Sequence, residues 1–176
     1  MGTLRIRTFG DPVLRERARP VEEITQLHAT LIDNMIETMR DAPGVGLAAT
    51  QVGVLDRLFV WEVEERHGAV INPVIVDRSA QTEVDDEGCL SLPGLLYPVE
   101  RSTSVVVEGV DQEGSAVHLE ADGLLARVCQ HEIDHLDGVL FIDRLPADVK
   151  REAIRKLNEE ALGLGMPQPT AEVHPR

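Results

Sequence analysis

Within Gln130-His131-Glu132-Ile133-Asp134-His135 two histidines bracket a glutamate. On a helix, residues four apart stack on one face, so His131 and His135 can both reach a single metal ion. Glu132 falls about a quarter-turn away, off that face but close enough to take a proton from a water bound to the ion. A catalytic site of this kind normally has three protein ligands and leaves one position for water. The origin of the third ligand therefore separates one chemistry from another.

Three sources compete. One protease pattern continues the helix as H-x-x-G-x-x-H; this chain matches through Gly138 and then has Phe141 where the ligand belongs, so that reading fails. A second protease pattern takes a glutamate from a later helix, and Glu152, Glu159 and Glu160 are available there, each read more simply as a solvated residue. The third source lies upstream, where Cys89 sits in a tight Gly-Cys-Leu-Ser segment and offers a sulfur ligand suited to a borderline metal. Cys129 precedes His131 by two residues, about 200 degrees around the same helix, and reads as a small core residue. His28, His67, His118 and His174 are not assigned to the metal.

These side chains need a scaffold to hold them. Apolar residues Ile24, Leu27, Leu31, Met35, Ile36 and Met39 recur at helical spacing, which predicts an amphipathic helix from about Ile24 to Arg40, closed by Asp41-Ala42-Pro43-Gly44. Strands are expected over Arg57 to Glu62 and Ala69 to Asp77, the second interrupted at Asn72-Pro73. Glu83 to Glu87 reads as an acidic turn. Thr103 to Val110 and Ser115 to Ala121 form a hairpin. The central helix runs from about Gly123 to Asp137, capped by Asp122 and stopped by Gly138, and a last helix covers about Ala147 to Leu162. The expected architecture is α+β: one domain, residues 1–162, with a mostly antiparallel sheet packed around a central metal-binding helix. Residues 163–176, with three prolines and little to bury, are expected to be a disordered tail.

Composition narrows the function classes. A net charge of −14 leaves no basic excess to neutralise phosphates, which argues against DNA as a partner. The start lacks the apolar core of a signal peptide, and no apolar run approaches the length of a membrane span. The expectation is a cytoplasmic protein with free thiols and no membrane partner.

Three segments together carry a resemblance. Gly-Val-Gly-Leu-Ala-Ala-Thr-Gln (44–51), Glu-Gly-Cys-Leu-Ser (87–91) and Gln-His-Glu-Ile-Asp-His-Leu (130–136) are similar, in order and spacing, to the signature motifs of the peptide deformylases. The resemblance spans about Arg5 to Leu157. It implies removal of the N-formyl group from the initiator methionine of nascent polypeptides, releasing formate. It also implies Cys89, His131 and His135 as metal ligands, with ferrous iron in the cell and zinc, nickel or cobalt compatible as purified. Glu132 would act as general base and then general acid. The Gln51 side-chain amide and the Leu90 backbone N–H would stabilise the developing oxyanion. Glu87 and Arg101 would form an ion pair steadying the Cys89 loop.

Gly44 and Gly46 would let a substrate strand approach the Val45–Leu47 segment, the bland alternative being a turn that needs positive φ. Val45, Leu124 and Val128 are candidate walls for the methionine side chain, or simply core. The basic cluster Lys150, Arg151, Arg155 and Lys156 raises a transient ribosome contact, though a solvated helix face is the preferred reading. A monomer is favoured. Two rival functions stand beside the deformylase: a zinc endopeptidase with a downstream glutamate ligand, and a non-catalytic fold stapled by metal.

Overall fold

Leu58–Val63 reads Leu-Phe-Val-Trp-Glu-Val, an apolar run too continuous for a strand with a wet face. In the computed structural model, which describes residues 2–163, it is β2, and both of its faces are covered. Around it lies an antiparallel sheet of β1 (Gly46–Ala48), β2, β3 (Arg66–Arg78), β6 (Ser104–Val110) and β7 (Ala116–Asp122), in the order β1-β2-β3-β6-β7. A second sheet holds only β4 (Thr82–Cys89) and β5 (Leu92–Ser102). The fold is α+β as expected, but the strands divide into two sheets.

One face of the larger sheet is covered by α1 (Gln26–Asp41), whose Ile32, Met35 and Met39 pack with Leu47, Leu58, Val60 and Ile71. Against the other face lies α2 (Gly123–Leu136), whose Leu125, Val128, Cys129 and Ile133 meet Phe59, Trp61, Val70 and Val107. Val128 and Cys129 are thus core residues. The third cluster joins Leu92, Leu95 and Val99 of β5 to Phe141, Leu145 and the inner face of α3 (Ala147–Ala161).

Several sequence expectations change. Glu83 to Glu87 is not a turn but most of β4, paired with β5 from Thr82↔Ser102 to Cys89↔Leu92. Its residues are exposed except Glu87 and, in part, Cys89, so it carries no apolar alternation; the pairing partner makes the strand. Asp122 occupies the cap position of α2 without making the side-chain bond expected of a cap. His67 lies within β3 rather than in a turn. At Asn72 the sheet register does shift, and this residue adopts φ +53. Its side-chain amide exchanges two hydrogen bonds with the Val21 backbone, at 2.8 and 2.9 Å, which ties down the incoming chain. No described helix is long and apolar enough to cross a membrane. The expected tail, apart from Gly163, lies outside the described residues.

Candidate metal centre

Most side chains of α2 are buried, including the polar Arg127, Gln130, His131, Glu132 and His135. A buried polar group costs stability unless it finds a partner, so each of these must be accounted for. Gln130 bonds the Ser102 backbone in both directions, at 2.9 and 3.0 Å. Arg127 donates to the carbonyls of Val99 and Glu83 at 2.8 and 3.1 Å. These bonds fasten the β4–β5 hairpin to the helix.

The hairpin in turn delivers Cys89 to the histidines. Its Sγ lies 3.3 Å from His135 Nε2, which lies 3.1 Å from His131 Nε2. Among the described residues these three form the one group of metal-ligating atoms, all within 4.8 Å of one another. Ligands of a tetrahedral ion, with nitrogen at about 2.0–2.1 Å and sulfur at about 2.3 Å, are spaced by roughly 3.3–3.6 Å. The donor set and its spacing fit a divalent cation. Glu152, Glu159 and Glu160, on the later helix, are not part of the group.

The two rings sit in different electrostatic surroundings. Burial works against a charged His131, but Cys89, Glu87 and Glu132 outweigh it and push the ring well above its ordinary value. Burial and the neighbouring His131 push His135 well below. Two imidazoles this close do not both carry a proton, because a charge on one disfavours a charge on the other. Glu87 approaches His131 Nδ1 at 3.5 Å. Burial raises this carboxyl, yet His131 and Arg101 more than offset that and hold it at about 2. Arg101 forks onto both Glu87 oxygens, at 3.2 and 2.9 Å, so the expected ion pair is present and buried.

Glu132 is buried beside the three donors, and its Oε2 has no protein partner among the described residues. Burial is the main cause that pushes its carboxyl up to about 7, in the range of a group that exchanges protons near neutrality. Gln51 is 1% exposed on a short 3-10 turn, Ala49–Val52. Its Oε1 accepts from the Ala48 N–H at 2.9 Å, which fixes the amide so that Nε2 faces inward. That nitrogen donates to Ser91 Oγ at 3.1 Å and lies 3.7 Å from Cys89 Sγ. Leu90, next to Cys89, begins the turn from β4 into β5.

Of the two readings of the glycines, the turn that needs positive φ is not met. Neither Gly44 nor Gly46 has positive φ. A Cβ on Gly46 would stand 2.6 Å from Glu132 Oε1 and 2.9 Å from Val128, and one on Gly44 would stand 2.8 Å from Leu90. At Gly46 the crowding comes from Glu132 and Val128 on α2, whereas at Gly44 it comes only from the end of the flexible Leu90 side chain. β1 is the outer strand of its sheet; Leu47 turns its side chain into the α1 core, while Val45 and Leu124 are exposed. Ser91 escaped sequence reasoning, although a hydroxyl inside Gly-Cys-Leu-Ser-Leu could have been flagged as a buried donor–acceptor.

Comparison with known proteins agrees with this geometry. Residues 3–151 match the family model described as polypeptide deformylase. The peptide deformylase of Acidothermus cellulolyticus is 51% identical over 90% of this chain and 88% of its own length. That of Parafrankia is 44% identical over 99% of this chain and 96% of its own. Among solved structures, the peptide deformylase of Thermus thermophilus superposes with a TM-score of 0.85 at 46% identity, covering 92% and 97% of the two chains. The Ehrlichia chaffeensis enzyme in complex with actinonin gives 0.88 at 38%, covering 91% and 98%. Motif order, fold and relatives agree, and the chain belongs to the peptide deformylase family.

Proposed function

We propose that this enzyme hydrolyses the formamide bond of N-formylmethionyl peptides through a divalent metal held by Cys89, His131 and His135. The observation that carries this reading is the convergence of one thiol and two imidazoles beside a buried carboxyl. A bound ion there supplies Lewis-acid polarisation and lowers the pKa of a water molecule. Glu132 would take a proton from the attacking water as its oxygen bonds to the formyl carbon, and would deliver that proton to the amine nitrogen as the C–N bond breaks, serving as base and then acid. As charge develops on the formyl oxygen, the Gln51 Nε2–H and the Leu90 N–H donate to it. In the absence of substrate, Ser91 keeps the Gln51 amide in place.

The outer edge of β1 suits a peptide lying alongside as an added strand, with the backbone of Val45, Gly46 and Leu47 as its partner. Val45 and Leu124 present apolar surface to the methionine side chain, with Val128 behind them. One thiol and two nitrogens suit iron, zinc, nickel or cobalt, and ferrous iron is the ion proposed for the cell. Nascent chains make the cytoplasm the proposed site of action, with any ribosome contact transient.

Purified protein should release formate from formyl-Met peptides and leave internal peptide bonds intact. Internal cleavage without formate would reverse the assignment. Cys89→Ala should lose bound metal on dialysis, as measured by elemental analysis; full metal retention would remove the thiol from the ligand set.

A further inference from the structure

The ion pair of Glu87 with Arg101 does not end at Arg101. Arg101 Nη1 donates to Asp134 Oδ2 at 2.7 Å, and Asp134 receives Arg144 in a fork, Nε at 3.1 Å and Nη2 at 2.7 Å. Imidazole, carboxylate, guanidinium, carboxylate and guanidinium thus alternate from His131 to the surface. Glu87 and Arg101 side chains are 5% exposed, Asp134 13% and Arg144 49%. Asp134 stands on α2 itself, between Glu132 and His135. The chain of ion pairs therefore leaves α2 at His131, crosses β4 and β5, and returns to α2 at Asp134.

A closed circuit of this kind constrains what a single pair would not. The guanidinium of Arg101 is planar and rigid, so anchoring one edge on Asp134 sets how its other edge meets Glu87. Glu87 sits two residues before Cys89 on the same strand, and its carboxylate approaches His131. We propose that Asp134 and Arg144 are positioning residues for the metal centre, holding the thiol-bearing hairpin at the correct separation from the imidazole-bearing helix. The proposal rests on the metal reading given above. The side-chain bonds of Asp134 and Arg144 go to each other and to Arg101, not to the three donor atoms. Arg127 also ties the hairpin to the helix, through its bonds to Val99 and Glu83 and an approach of 3.9 Å to Glu87 Oε1, and should keep the hairpin in place when Asp134 is changed.

The test compares full-length wild type, Asp134→Asn and Arg144→Ala. Zinc affinity is measured by competition with a chromophoric chelator, melting temperature with and without zinc, and the sulfur-to-metal absorption band after cobalt loading. Asp134→Asn should weaken zinc binding about 10- to 100-fold, the range typical for groups that orient a metal ligand. It should also shrink the melting-temperature gain on adding zinc and shift the cobalt band. Arg144→Ala should move all three readouts in the same direction by a smaller factor. A lower melting temperature with unchanged zinc affinity and cobalt band would assign the pair to fold stability alone and overturn the proposal. If Asp134→Asn does not fold, Arg144→Ala decides, and wild-type zinc affinity in that variant overturns it. Failure of wild type to bind zinc or cobalt would instead overturn the metal reading itself, and this proposal with it.

Discussion

α1 and α2 lie on opposite faces of the same sheet, and β2 feeds alternate side chains to each. The inner face of α1 is mostly hydrocarbon and thioether, Ile32, Met35 and Met39, with a single buried hydroxyl, that of Thr38, which is hydrogen-bonded to Asn34 O and the Leu4 N–H. The buried surface of α2 instead includes an arginine, a glutamine, two histidines and a glutamate. Burial of the first set stabilises the fold by roughly 1.5–3 kcal/mol per side chain. Burial of the second set costs stability and is offset only where a partner is waiting. The scaffold side is built for packing, and the site side for holding polar groups where water would otherwise scatter them.

This contrast can be tested at three points. Glu132→Gln keeps the shape and removes the charge; deformylase turnover should fall about 10²- to 10⁴-fold, with metal content and melting temperature retained. An unchanged rate would place the proton transfer elsewhere. Gly46→Ala probes the contact between sheet edge and helix. The added methyl must displace Glu132 or Val128, so activity should drop on the order of 10²-fold and stability by about 1–3 kcal/mol. Full activity in that variant would mean that the carboxyl tolerates movement. Met39→Ala, on the far face, should destabilise by about 2–5 kcal/mol in denaturant titration and leave turnover per folded molecule unchanged. A matching loss of turnover would show that the two faces are not independent.

What could be read from the sequence follows the range of each interaction. α1 announces itself by apolar spacing, and His131, Glu132 and His135 by adjacency. Cys89 could be singled out as a thiol in a tight segment, but its approach to the histidines requires the hairpin to form. That hairpin was the hardest element to foresee. β4 is polar along nearly its whole length, and what makes it a strand is pairing with β5, in a register that runs from Cys89↔Leu92 beside the turn to Thr82↔Ser102 at the far end. The need for Gly46 was legible, yet its cause was not, because the atom it must avoid belongs to a glutamate on another element. Ser91, Asp134 and Arg144 share that fate: each is an ordinary polar residue until its distant partner is known.

Only Leu90 and Ser91 separate Cys89 at the end of β4 from Leu92 at the start of β5. The sulfur proposed as a ligand, the peptide N–H proposed to meet the oxyanion and the hydroxyl that steadies Gln51 are therefore consecutive along a two-residue turn and the strand end before it. A motion that lifts this corner withdraws all three together. Such a catalyst should switch off in a single step, with no partly active form that keeps its ion but has lost its hydrogen-bond donors.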